Sequence, residues 1–238
     1  MNKMVNNTLF VTGTDTSVGK TYFCARLLEF LKMQGIKAGY QKWVATGVEG
    51  DLPEDLERCL AAAAVSPTPE LVAQLVPYRF RFPASPHLAA EMEGSMVETD
   101  VLLENYRIVA ARHDLLLVEG VGGLMVPLRR DLLLVDLLAR LQPRTLIVAR
   151  SGLGTLNHTL MTLEALRRRQ IHVLGVVLSD AEIPEDERLV QDNMQTIEEL
   201  GLVRVFGRLR RHHDNDKARR EFMPVGHAIF EQLQHATE

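Results

Sequence analysis

The chain has 238 residues, 46% of them hydrophobic and 24% charged, the balance of a globular protein that buries a sizeable core rather than of a disordered chain. Its formal net charge of −4 gives no basic surplus of the kind a nucleic-acid binder uses. Two cysteines, Cys24 and Cys59, with no CxxC spacing argue against a disulfide framework or a zinc site and fit a reducing, cytoplasmic compartment.

No stretch approaches the roughly 18 apolar residues of a membrane span. Residues 1–7 lead into an apolar run too short for a secretory signal. Residues 8–12 (TLFVT) read as a buried strand. Over 21–34, Cys24, Leu27, Leu28 and Leu31 recur at a helical period that Gly35 ends. A second strand is predicted at 38–42. Segment 47–95 carries six of the ten prolines and is expected to form helices and loops outside the sheet. A helix-like stretch at 101–111 precedes a strand at 115–118 (LLLV). Further strands are predicted at 145–149, 173–178 and 202–206, with helices at 156–169 and 185–200. Segment 208–220 is basic and reads either as a solvated surface loop or as a mobile segment near a ligand. Most strands are continuous apolar runs, as in a parallel sheet covered on both faces. Alternation with helices implies an α/β fold with an open, doubly wound, mostly parallel sheet flanked by helices. Ligands then sit beyond the carboxyl ends of the strands.

At the end of the first strand stands Gly13-Thr14-Asp15-Thr16-Ser17-Val18-Gly19-Lys20-Thr21. The glycines let successive N–H groups turn toward one point, and the following helix adds its positive end. Lys20 offers a cation to outer phosphates and Thr21 a hydroxyl to Mg²⁺. The pattern is one residue longer than GxxxxGK[ST], and its context points to a P-loop that binds a nucleoside triphosphate. A group of related switch ATPases carries a lysine where this loop has Asp15. Lys42 ends the second strand and either faces the same ligand or lies at the surface. Glu119 follows the third strand and precedes Gly120-Val121-Gly122-Gly123. That is where a phosphate-loop enzyme holds magnesium, although a turn or cap would also use such a carboxylate. The helix start at Gly154-Thr155-Leu156-Asn157-His158 has N–H groups suited to an anion.

The stretches FVTGTDTSVGKT, GYQKWVATG, PYRFRFPASPHLAAEMEG, LLLVEGVGGLMVPL, LGTLNHTLMTLEAL and LGVVLSD lie in one order over residues 10–180. In them the sequence resembles the ATP-dependent dethiobiotin synthetases. The resemblance implies a single P-loop domain over residues 1–238. It also implies the closure of 7,8-diaminononanoate and CO₂ to dethiobiotin, through a carbamate that ATP phosphorylates. On that resemblance Lys42 and Lys20 are catalytic. Thr21, Asp55 and Glu119 match the Mg²⁺ ligands, with Asp51 close enough to replace Asp55. The nucleotide is expected against Ser17, Val18, Gly19, Lys20, Thr21, Tyr22, Glu119, Gly120, Val121, Gly122 and Ser179. Thr46 matches a contact to the diamine. Thr155, Leu156 and Asn157 match the helix start that takes the substrate carboxylate from the partner subunit of a homodimer. The chain departs from the family at Ser17 (often glutamate), Trp43 (usually proline), Ser179 (asparagine) and Gly207-Arg208-Leu209-Arg210-Arg211. These departures leave the base preference open, with ATP or another nucleoside triphosphate as co-substrate. They also leave a non-catalytic, nucleotide-binding or partner-binding paralogue as the alternative.

Overall fold

The computed structural model describes residues 7–180, 185–212 and 214–235; the reading of residues 1–6 lies outside the described residues. The apolar run at the start forms β1 (Thr8–Gly13). Gly19, at φ 98°, caps the helix that follows, α1 (Lys20–Met33). Its buried residues Phe23, Cys24, Leu27, Leu28 and Leu31 recur every three to four positions, the spacing of one helical face. The chain returns through β2 (Ala38–Lys42) and a short β3 (Val44–Thr46).

The proline-rich segment folds as α2 (Glu54–Ala63), α3 (Pro69–Leu75), β4 (Tyr78–Phe80) and α4 (Pro86–Met92). It lies outside the main sheet as expected, but with strand content: β3 and β4 pair in parallel as a separate two-stranded sheet, Val44 beside Tyr78 and Thr46 beside Phe80. Then come α5 (Thr99–Ala110) and β5 (Leu115–Gly123). Strand β5 runs five residues past the expected end, because its backbone keeps pairing with β1 as far as Gly13 beside Gly123. Glu119 is therefore inside a strand rather than after one.

A hairpin follows, β6 (Pro127–Arg129) and β7 (Leu132–Leu133), then α6 (Leu134–Leu141). The rest alternates as β8 (Arg144–Arg150), α7 (Thr155–Arg167), β9 (Val173–Ser179), α8 (Glu187–Gly201), β10 (Val205–Leu209) and α9 (Asn215–His235). Strand β10 starts three residues later than expected, since Leu202 closes α8 in a left-handed turn, φ 44°. The basic segment is not one loop: Arg208 and Leu209 belong to β10, and α9 begins at Asn215.

The six main strands are parallel in the order β10-β9-β8-β1-β5-β2. From β1 the sheet grows in opposite directions, through β5 to β2 and through β8 to β10. The carboxyl end of β1 is thus a switch point where such sheets bind ligands. Helices α1 and α9 pack together through Phe30 and Phe222, ring centroids 6.3 Å apart, and a β-carbon at Gly226 would come within 2.7 Å of the Phe30 ring. Leu117 of β5 is fully buried. Leu117→Ala is expected to cost about 2–5 kcal/mol by urea unfolding, the lost transfer energy plus the cavity left in a parallel sheet with no slack.

Candidate active site

The phosphate loop leaves β1 at Gly13 and is tied to β8 by the Thr14 N–H, which donates to Val148 O at 3.1 Å. Lys20 lies in the curve of the loop, its Nζ donating to Asp15 O at 2.9 Å. A β-carbon at Gly13 would sit 2.8 Å from that ammonium, so only glycine leaves room. Asp15 accepts from the Thr16 N–H at 2.7 Å and faces Arg150 at 3.4 Å. The Thr16 bond, with Arg150 and His158 near, overcomes the effect of partial burial and holds its carboxyl below the usual range. Ser17 is exposed, in a left-handed conformation at φ 56°.

Sheet register sets the next group. Glu119 pairs with Val11 of β1 on one side and with Lys42 of β2 on the other, so Lys42 and Glu119 stand side by side at the ligand end. Lys42 Nζ donates to Glu119 Oε1 at 3.1 Å and to Asp55 Oδ2. Asp55 arrives from α2. One turn further along, Cys59 rests its thiol 3.9 Å from Thr21 O, and Leu56 and Leu60 are buried. That docking turns Asp55 toward Thr21, whose Oγ1 lies 2.8 Å from Asp55 Oδ1 and 2.9 Å from Glu119 Oε1, its one proton shared between the two carboxylates. Asp51 is exposed, and its carbonyl accepts from Arg79; of the two candidate aspartates it is Asp55 that meets Thr21. Tyr40 was not singled out by the sequence. Its hydroxyl donates to Glu119 Oε2 at 2.9 Å, a contact visible only once two strands separated by the whole 47–95 segment are paired.

Burial of Lys42 works against its charge, but Glu119 and Asp55 outweigh it and its pKa is raised. Burial likewise opposes ionisation of Asp55, and Lys42 and Thr21 overcome it, leaving the carboxyl below its ordinary value. Lys20 goes the other way: burial first, with Lys42 adding repulsion, lowers its pKa against the pull of Glu119 and Asp55. Lys42 thus stands as an ammonium group between two carboxylates. Thr21, Asp55 and Glu119 present only hard oxygen atoms. That donor set fits Mg²⁺, which takes one or two carboxylates and completes its shell with phosphate and water. The site offers two carboxylates and a hydroxyl; among the described residues no group of three or more His, Cys, Asp and Glu is placed to hold a metal ion, here or elsewhere.

These groups line a cleft of about 1380 Å³ with Ser17, Gly19, Lys20, Thr21, Tyr22, Lys42, Thr46, Asp55, Glu119, Val121 and Gly122 on its wall. Val18, Gly120 and Ser179 are buried and do not line it. Neither do Thr155, Leu156 and Asn157 at the start of α7, of which Thr155 is buried and Asn157 exposed. Trp43 turns away from the cleft into the core. It is buried against Phe10 and Tyr106, its indole N–H donating to Gln41 Oε1 at 3.1 Å. Arg211, His212, Asn215 and Arg219 form a further part of the wall, which the sequence marked only as a basic segment.

Fold and loop together define a P-loop nucleoside triphosphatase-type protein. Residues 7–219 match the family model of an AAA domain. The chain is similar over 96–97% of its length, at 12–13% identity, to the MinC:MinD cell division protein complex of Aquifex aeolicus (TM-score 0.58, 96% of that chain) and to pNOB8 ParA bound to nonspecific DNA (TM-score 0.56, 99% of that chain), likenesses of fold alone. It is 34% identical to the ATP-dependent dethiobiotin synthetase BioD of Methanocaldococcus jannaschii over 87% of this chain and 95% of that one. To the enzyme of the same name from Rhodopseudomonas palustris it is 42% identical over 85% and 87%. The chain belongs to the ATP-dependent dethiobiotin synthetase family. No helix among the described residues is long and apolar enough to cross a membrane.

Proposed function

We propose that this protein makes dethiobiotin from 7,8-diaminononanoate, CO₂ and ATP, as a single domain over residues 1–238 and in the cytoplasm. One amine takes up CO₂ as a carbamate, the carbamate is phosphorylated, and the second amine closes the ring as phosphate leaves. The observation that carries this reading is the convergence of Lys42, Asp55, Glu119 and Thr21 beside Lys20 in one cleft. A carbamate and a transferring phosphoryl group are both anionic, and two buried ammonium groups, fixed before the reaction, stabilise that charge as it shifts. Lys42, held charged between two carboxylates, orients and neutralises the carbamate. Lys20 takes the outer phosphates. Thr21, Asp55 and Glu119 would hold Mg²⁺, whose contribution when bound is to neutralise the phosphate oxygens. Thr46, on the cleft wall near Lys42, offers a hydroxyl to the diamine.

In this reading the substrate tail leaves its own subunit. Thr155, Leu156 and Asn157 lie off the cleft of their own chain, which agrees with their serving a partner in a homodimer. Leu153, 91% exposed just before α7, is the apolar surface such a contact would cover.

The test is direct. Protein incubated with diaminononanoate, bicarbonate, Mg²⁺ and ATP, CTP or GTP should release dethiobiotin and phosphate. No dethiobiotin with any of the three would sink the proposal.

A further inference from the structure

The residues after β10 have no part in the reaction above, yet Arg211, His212, Asn215 and Arg219 line the cleft. We infer that the nucleotide base is held there by stacking on the Arg211–Tyr22 pair and not by contacts to its edge, so that the site accepts purine and pyrimidine triphosphates alike. The inference rests on the reading of the phosphate loop as the triphosphate site.

Tyr22 follows Thr21 in the first turn of α1, and the Arg211 guanidinium lies 4.5 Å from its ring centroid. Both line the cleft. The pair is fixed in place. Arg211 Nε donates to Asp180 O at 3.3 Å, and the Tyr22 hydroxyl donates to Arg210 O at 3.2 Å. Behind them Arg208 makes a buried ion pair with Asp180 at 2.7 Å, and Arg210 pairs with Glu187 at 3.0 Å. The guanidinium also abuts the phosphate loop: a β-carbon at Gly19 would lie 3.3 Å from Arg211 Nη2. The guanidinium–ring pair therefore stands next to Gly19 at the start of α1, on the wall of the same cleft.

Among the described residues next to the Arg211–Tyr22 pair, no buried side chain presents a free donor and acceptor to a base edge; Arg26 and Glu29 on the same wall face each other as an ion pair at 3.1 Å. Ser179 is 1% exposed, lies beneath Gly19 and does not line the cleft. Among the described residues its Oγ has no hydrogen-bond partner. On the same wall His212 is taken up by Glu221 at 2.7 Å, and Asn215 stands exposed at the beginning of α9. Strong discrimination between bases needs buried donors and acceptors that a wrong base would leave unpaired. Stacking makes no such demand, because every base has a π-face and an arginine plane stacks on any of them.

The experiment is calorimetric binding of ATP, GTP, CTP and UTP to the full chain with Mg²⁺, alongside the turnover assay. The four dissociation constants should agree within about fivefold, and Arg211→Ala should weaken all four by roughly tenfold. Arg211→Lys keeps the charge and loses the plane, so it should weaken binding as the alanine variant does. A preference of more than about fiftyfold for one base overturns the inference. So does wild-type affinity in Arg211→Lys, which would make Arg211 a phosphate cation instead. Even binding of all four without dethiobiotin would leave the inference standing and sink the proposed reaction. No binding of any triphosphate would end both.

Discussion

Lys42→Ala is expected to lower kcat for dethiobiotin formation by at least about a hundredfold, the usual effect of removing one preorganised charge from a developing anion, while nucleotide still binds. The variant takes away the only ammonium group bonded to both Asp55 and Glu119 among the described residues. Thr21 would still bridge the two carboxylates through its hydroxyl, and Tyr40 would still hold the far oxygen of Glu119. The oxygens proposed to hold Mg²⁺ thus keep their places and lose a competing cation, so affinity for a divalent ion should hold or rise. The loss then falls on the chemical step, with kcat and kcat/KM declining together rather than KM alone rising. Steady-state turnover with parallel Mn²⁺ binding by electron spin resonance separates the two effects. Turnover like that of the wild type would refute the role given to Lys42.

Gly19→Ala should remove nucleotide binding, by a hundredfold or more in dissociation constant on an order-of-magnitude reckoning. Two costs combine. The backbone at Gly19 has φ 98°, a left-handed conformation that costs an L-residue about 1–2 kcal/mol. The new methyl would also run into the Ser179 side chain, which is fixed under the loop. Because the Gly19 carbonyl accepts the Phe23 N–H that starts the helix, at 2.9 Å, any shift that relieves the clash re-aims the phosphate-binding amides. Gly19→Ala combined with Ser179→Gly opens space without relieving φ, so it should recover part of the affinity, not all of it. Full recovery would mean that the clash alone mattered; calorimetry of nucleotide binding reads all three proteins.

The α/β layout was legible from apolar runs because parallel strands buried on both faces leave that trace. Residues 132–141 were not, since a nearly continuous apolar run hides both a strand and a helix; here it holds β7 and α6. The long α9 escaped because its basic beginning and Pro224 mask the helical period. The phosphate loop was legible because its ligand groups are adjacent in sequence. The choice between Asp51 and Asp55 was not, since it turns on how α2 docks through Cys59. Tyr40 and Arg211 were beyond reach for the same reason: each acquires its neighbour through packing of distant segments. Glu119 stands inside β5 and not, as the sequence had it, after it, because hydrogen bonding to β1 carries the strand on after its apolar run stops.

That continuation of β5 bears on when the protein becomes active. Thr21 and Glu119 are 98 positions apart, and Lys42 and Glu119 are 77 apart. They meet only when β5 slides between β1 and β2. Pairing of that range is slow, since a long loop must close before any contact rewards it. A chain emerging from the ribosome has its phosphate loop long before it has a reaction centre. Refolding should accordingly regain activity together with its central strands, never ahead of them, so recovered turnover is a clock for the insertion of one strand.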